Sequence, residues 1–163
     1  MILGVVGDTH NRILNVEIIV DLFNSYEVDT VIHTGDITQA KTLSKFSRLN
    51  CKLLGVYGNN DLEEEGLEKV AKEKGFSLFN PPLFVSKGGK EIAIFHEPDE
   101  IEKIIDKKPS LDLILHGHTH RYRNEIIKGV KIFNPGECAG FQKGKNAIGL
   151  VNLDSLKIKR IFF

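Results

Sequence analysis

The feature that most limits how this chain can fold is a recurring junction, where a short apolar run breaks off into a glycine or a metal-binding side chain. Ile2 to Val6 runs into Gly7-Asp8-Thr9-His10, Thr30 to His33 into Thr34-Gly35-Asp36, and Lys52 to Tyr57 into Gly58-Asn59-Asn60-Asp61. Glu91 to Phe95 runs into His96, and Asp112 to Leu115 into His116-Gly117-His118-Thr119-His120. Short apolar runs of this kind are what buried strands look like in sequence. Helical periodicity separates the first three. Val16, Ile19, Val20 and Phe23 mark a helix over about 13–26, Leu43 and Phe46 a second, and Leu67, Val70 and Ala71 a third over about 63–74. Strands alternating with helices imply right-handed crossovers and a mostly parallel sheet covered by helices.

The second half has a different rhythm. Leu83-Phe84-Val85, a turn at Lys87-Gly88-Gly89-Lys90, and Glu91 to Phe95 read as a β-hairpin. Pro98 suits the first turn of a short helix reaching about Lys107. Segments 123–127, 131–133, 148–153 and 157–162 read as strands joined by tight turns. With no repeat, low-complexity tract or linker, the expectation is one domain over 1–163, its second sheet packed on the first.

Composition narrows the function. Lys plus Arg equals Asp plus Glu at 22 each, so the formal net charge is zero. That argues against a polymeric nucleic-acid partner while leaving a nucleotide open. Cys51 and Cys138 form no C-x-x-C pair, which argues against a paired-cysteine zinc site. The N-terminus runs straight into a strand with no basic leader, and no apolar stretch approaches the roughly 20 residues needed to span a membrane. A cytoplasmic protein with two free thiols and no membrane partner is expected. Homo-oligomerisation is left open.

Asp8 and His10, at i and i+2 in extended chain, point the same way and can grip one ion, as can His118 and His120. Asp36, Asn59 and His96 each follow a strand. In a parallel α/β sheet the carboxyl ends of the strands line one crevice, so all seven residues converge there. Each motif alone has an ordinary reading as a turn, a cap or a satisfied histidine; the set of five does not. Four imidazoles and Asn59 are neutral, while Asp8 and Asp36 bring two negative charges. Two divalent ions bridged by Asp36 therefore leave a positive surplus suited to a phosphate ester. Imidazole-rich N/O sites suit manganese, iron, cobalt, nickel or zinc better than calcium or magnesium.

These residues resemble the calcineurin-like metallophosphoesterase superfamily, whose pattern is D-x-H, G-D, G-N-H-D/E, H and G-H-x-H. The chain's size and its Asn134-Pro135-Gly136 turn are similar to the small prokaryotic phosphodiesterases of the YfcE type. The resemblance covers essentially the whole chain. It implies an α/β metallo-dependent phosphatase fold, a four-layer αββα sandwich of two mixed β-sheets flanked by helices. It also implies a first metal on Asp8, His10, Asp36 and His120, and a second on Asp36, Asn59, His96 and His118. A hydroxide bridging the ions would attack phosphorus in line. Two positions depart from the pattern. Asn60 stands where the superfamily has a histidine that protonates the leaving group or steadies the transition state, and an amide cannot act as that acid near neutral pH. Glu97 stands where a glycine follows the metal-binding histidine, and its charge can repel or select substrates.

The expectation is a dinuclear-metal phosphodiesterase acting on a small phosphate ester, with Asp36 and Asn60 at the reaction centre. The alternatives are a phosphomonoesterase or nucleotidase, disfavoured by Asn60, and a non-catalytic scaffold, disfavoured because every ligand position is filled. Other polar residues carry lesser expectations. His33 and His116 are core or supporting groups. Asp61 either orients a histidine or caps the following helix. Arg12, near Thr9 and Asn11, either meets phosphate or is a solvated cation. Glu63-Glu64-Glu65 is an acidic start to the third helix.

Overall fold

A computed structural model describes residues 1–62 and 64–163. In chain order its elements are β1 (Ile2–Val6), α1 (Ile13–Ser25), β2 (Thr30–His33), α2 (Ala40–Lys45), β3 (Lys52–Val56), α3 (Leu67–Lys74), β4 (Ser77–Phe79), β5 (Leu83–Lys87), β6 (Lys90–Ile94), α4 (Ile101–Lys107), β7 (Leu113–Leu115), β8 (Arg123–Ile127), β9 (Val130–Asn134), β10 (Ala147–Asn152) and β11 (Lys157–Phe162). A 3-10 turn at Phe46–Arg48 extends α2.

The strands form two mixed sheets. One has the order β11-β10-β1-β2-β3-β4, the other β5-β6-β7-β9-β8. β1 to β4 pair in parallel, with β10 and β11 antiparallel at one side. In the second sheet β6, β7 and β9 are parallel and the edge strands β5 and β8 are antiparallel.

Three apolar clusters give the four layers their order. Val16, Ile19, Val20 and Phe23 of α1 pack with Leu43 of α2 and Leu67 of α3 against Val6, Val31 and Leu53 of the first sheet. Leu3, Val5, Ile32 and Val56 face Ile92, Ile94, Leu113, Leu115 and Phe133 across the gap between the sheets. Ile101 and Ile105 of α4 cover the outer face of the second sheet at Ala93, Ile114 and Ile132. Strands buried on both faces account for the unbroken apolar runs. This is the four-layer αββα sandwich expected from the resemblance.

Several boundaries differ. α3 begins at Leu67, so Glu64 and Glu65 precede it, and Glu63 lies outside the described residues. Gly66, at φ +87°, stands at its N-cap and sets the start. Pro98 lies ahead of α4, whose N-cap is Glu100; Pro98 contributes its carbonyl to the Ile101 N–H. The short edge strand β4 was not anticipated, because three half-exposed residues carry too little alternation to register.

β1, β2, β3, β6 and β7 all deliver their carboxyl ends to one side of the sandwich, and their packing fixes the loops beyond them. Ile32 lies fully buried between the sheets, two residues ahead of Thr34. Ile32→Ala should lower unfolding stability by about 2–5 kcal/mol, read from urea denaturation of the metal-free protein.

Candidate metal centre

The loops that follow the five strands meet in a dense polar cluster. Backbone bonds set their courses. The Asp8 N–H donates to the Gly35 carbonyl at 3.0 Å, and the His10 N–H to the Asp36 carbonyl at 3.1 Å. The two sheets are tied at the same place. The His118 N–H donates to Asp8 Oδ1 at 3.1 Å, and His96 Nδ1 lies 2.9 Å from the Thr34 carbonyl oxygen. Left-handed backbone recurs here, at Asp8 (φ 51°), His10 (38°), Asp36 (57°), His118 (68°) and His120 (55°). Such conformations cost non-glycine residues free energy and persist where the surroundings hold them, which is characteristic of functional sites. Gly58 permits a close approach: a Cβ there would lie 2.2 Å from Asp36 Oδ1.

The seven candidate ligands come together in two groups that share Asp36. Asp36 Oδ2 lies 3.3 Å from His10 Nε2, and Asp36 Oδ1 lies 3.4 Å from His96 Nε2. On the first side His10 Nε2 and His120 Nε2 are 3.3 Å apart, and His120 Nε2 is 3.6 Å from Asp8 Oδ1. On the second side Asn59 Oδ1 lies 3.0 Å from His96 Nε2 and 3.1 Å from His118 Nδ1. His118 Nδ1 and His96 Nε2 are 3.3 Å apart. Ligand atoms of Asp8, His10 and His120 all lie within 4.8 Å of one another, and so do those of Asp8, Asp36 and His96. Asp8 therefore stands near both groups, where the sequence suggested only the first.

The electrostatics fit a missing positive charge. Asp8 Oδ2 is buried without a hydrogen-bond partner, and burial, opposed by His120, pushes the Asp8 carboxyl up to about 6. Burial disfavours the charged form of His96, yet the hydrogen bond and charge of Asp36, joined by the Thr34 carbonyl and Asp8, together outweigh this and raise its pKa. Burial also works against ionised Asp36, but hydrogen bonds from His96 and Asn60 hold it well below the usual carboxylate range. His10 is lowered, chiefly by burial. Paired imidazole nitrogens, an orphaned carboxylate oxygen and a firmly ionised carboxylate form a donor set for divalent cations.

Supporting residues aim the ligands. The Thr34 carbonyl holds His96 Nδ1, which leaves Nε2 turned to the cluster. Glu137, buried and not singled out by sequence, does the same for His120: its Oε2 lies 3.4 Å from His120 Nδ1. The Phe141 and Gln142 N–H groups donate to Glu137 at 3.1 and 2.7 Å. The available signal was a glutamate between Gly136 and the small apolar pair Cys138-Ala139. Phe141, 62 % exposed, stacks on the His120 ring with centroids 5.3 Å apart. Asn134 donates through Nδ2 to the Gly117 carbonyl and Thr119 Oγ1, and accepts the Gly136 N–H, clamping the Gly117–His120 loop.

The remaining expectations resolve individually. Asn60 gives Asp36 two bonds, N–H to Oδ1 at 3.0 Å and Nδ2 to Oδ2 at 2.8 Å. Asp61 neither orients a histidine nor caps α3. It is buried and accepts the Thr38 and Gly58 N–H groups at 2.6 and 2.7 Å, because the loops after β2 and β3 need an acceptor where they meet. His33 and His116 are buried outside the cluster of ligands. Asn11 Oδ1 accepts the Gln39 N–H and the Thr42 hydroxyl, and Arg12 is exposed at the start of α1. Both cysteines are free thiols. No helix among the described residues is long and apolar enough to cross a membrane.

His33 predicts a pH effect. Its Nδ1 accepts the Gly35 N–H at 3.1 Å and its Nε2 lies 3.2 Å from Thr9 Oγ1. Burial lowers its pKa from 6.5 to about 3. The unfolded chain therefore takes up this proton first on acidification. The contribution is complete above pH 6.5 and is lost as pH falls toward 3, reaching about 2 kcal/mol by pH 5. Asp8, raised, opposes it between about pH 6 and 4. The readout is accordingly a comparison: metal-free His33→Gln should lose less stability between pH 7 and 5 than the parent in urea titrations.

Comparison with known proteins follows the same line. The family model of the calcineurin-like phosphoesterase superfamily domain matches residues 1–156. A phosphodiesterase from Methanocaldococcus jannaschii is 30 % identical, the match covering 99 % of this chain and 98 % of that protein. A solved structure of an archaeal phosphodiesterase superposes with a TM-score of 0.91 at 29 % identity, covering 100 % of both chains. The Escherichia coli phosphoesterase YfcE superposes with a TM-score of 0.70 at 18 % identity, over 99 % of this chain and 98 % of its own, a likeness of fold.

Proposed function

Because this chain belongs to the calcineurin-like phosphoesterase superfamily, we propose that it is a dinuclear-metal phosphodiesterase acting on a small phosphate ester. Asp8, His10, Asp36 and His120 would hold one divalent transition ion, and Asp36, Asn59, His96 and His118 the other. The observation that carries this reading is the division of one carboxylate: Asp36 turns Oδ2 to His10 and Oδ1 to His96. The M. jannaschii relative, itself named a phosphodiesterase, supports the reaction class.

When bound, the ions would supply Lewis-acid charge to the phosphoryl oxygens and activate a water nucleophile. The chain's own residues do the rest. Asn60 fixes the plane of the Asp36 carboxylate by bonding both its oxygens. Glu137 and the Thr34 carbonyl hold His120 and His96 in register. Asn60, an amide, has no proton to give to a departing alkoxide near neutral pH. The site therefore favours esters whose leaving group departs as a stable anion.

The purified protein should bind about two divalent ions per chain, and chelation should abolish activity. In calorimetric titrations Asp36→Asn should weaken both ions, His10→Ala mainly the first and His96→Ala mainly the second. Equal, independent losses from all three variants would contradict the shared carboxylate.

Catalysis should also depend steeply on leaving-group pKa, with activated aryl diesters cleaved readily and alkyl monoesters poorly. Asn60→His should help the poorest leaving groups most, up to the roughly 10²–10⁴-fold typical of a positioned acid. Rates for a graded ester series on both proteins decide this, and a flat dependence in the native protein would refute it.

A further inference from the structure

Beside the second group of ligands the surface opens into a cavity of about 570 Å³, within the usual size range for small-ligand sites. It shares Gly58, Asn59 and His96 with the cluster, so a phosphate held there would direct one of its ester groups into it. The walls are apolar, with Tyr57, Pro81, Pro82, Phe95 and Ile104 among them. Leu62, 69 % exposed, stands at the same wall as an uncovered apolar side chain.

The charge on this cavity has one sign. Glu97, Asp99 and Glu100 line it, and no lysine or arginine does among the described residues. Glu100 is already paired with Lys103 at 2.7 Å. Glu97 and Asp99 are exposed and make no ion pair among the described residues. A second phosphate or a carboxylate on the substrate would enter against these charges, with no lysine or arginine among the described lining residues to offset them. An organic cation would gain both the aromatic and aliphatic walls and the two carboxylates.

We propose that this cavity is the subsite for one ester group of the substrate, and that it selects phosphodiesters bearing a cationic, partly apolar organic group over those bearing a further anion. The inference rests on the phosphodiesterase reading for its reaction, and on the cavity alone for its ligand class. It also gives Glu97 a role: the residue in the usual glycine position turns a neutral wall into a charge filter.

The test has two arms. In the first, metal-stripped full-length protein is titrated with benzyltrimethylammonium and with phenylacetate, followed by NMR of the Tyr57 and Phe95 ring protons. The cation should shift those signals and phenylacetate should not, and Glu97→Lys should weaken the cation's binding several-fold. In the second, the metal-loaded protein is given three p-nitrophenyl phosphodiesters with one leaving group, whose other ester group is choline, 3,3-dimethylbutanol or 4-hydroxybutyrate. The expected order of kcat/KM is choline, then dimethylbutyl, then carboxylate, with each step about two- to fivefold and carried by KM, as exposed charges allow. The Glu97→Gln, Asp99→Asn double variant should bring the choline and dimethylbutyl esters level. Equal or better use of the carboxylate ester, or no ring-proton response to the cation, overturns the proposal. If no diester is cleaved the phosphodiesterase reading falls, while the first arm still decides the cavity.

Discussion

The Asp36 carboxylate is the interaction on which the rest of the centre depends. It is buried, which by itself would drive it to the neutral acid, yet hydrogen bonds from His96 and Asn60 keep it ionised. One of its oxygens faces each group of imidazoles. In the proposed centre both groups would share it, and its position is set by close contact with Gly58 and by a left-handed backbone. A longer or rotated side chain at that point would collide with the loop after β3 or abandon one imidazole group. The glycines and the strained turns around it follow from that demand.

The two sheets serve this geometry. Asp8, Asp36 and Asn59 come from the first, His96, His118 and His120 from the second, and the apolar layer between them sets their separation. Bonds that cross between the sheets at the rim, from His118 to Asp8 and from His96 to Thr34, lock the positions that the core only approximates. Core packing supplies most of the stability of such a sandwich, and a few directional bonds supply its accuracy.

The central strands could be read from sequence because they are buried on both faces, and the residues that gather in the cluster because each follows such a run. β4 could not, since its three residues pair at an edge and show no pattern. The start of α3 was misplaced because acidic residues suit a helix N-terminus, yet Gly66 sets the actual start. Asp61 could not be assigned because its partners, the Thr38 and Gly58 N–H groups, belong to loops whose meeting no local signal announces. Glu137 escaped for a related reason. A lone glutamate far along the chain declares no partner until folding brings it against His120. The candidate ligands were legible; the residues that position them depend on tertiary contacts.

The bond from His118 to Asp8 spans 110 positions of the chain. A centre closed by so distant a contact does not exist in any early fragment. During synthesis Asp8, His10, Asp36 and Asn59 emerge well before the histidines of the second sheet, and half of the proposed ligand shell would have little hold on a divalent ion. Full affinity would come only when the last strands dock and this distant contact closes. On the proposed reading, metal capture would thus report completed folding, and a chain that stalls halfway would stay a poor scavenger of free metal.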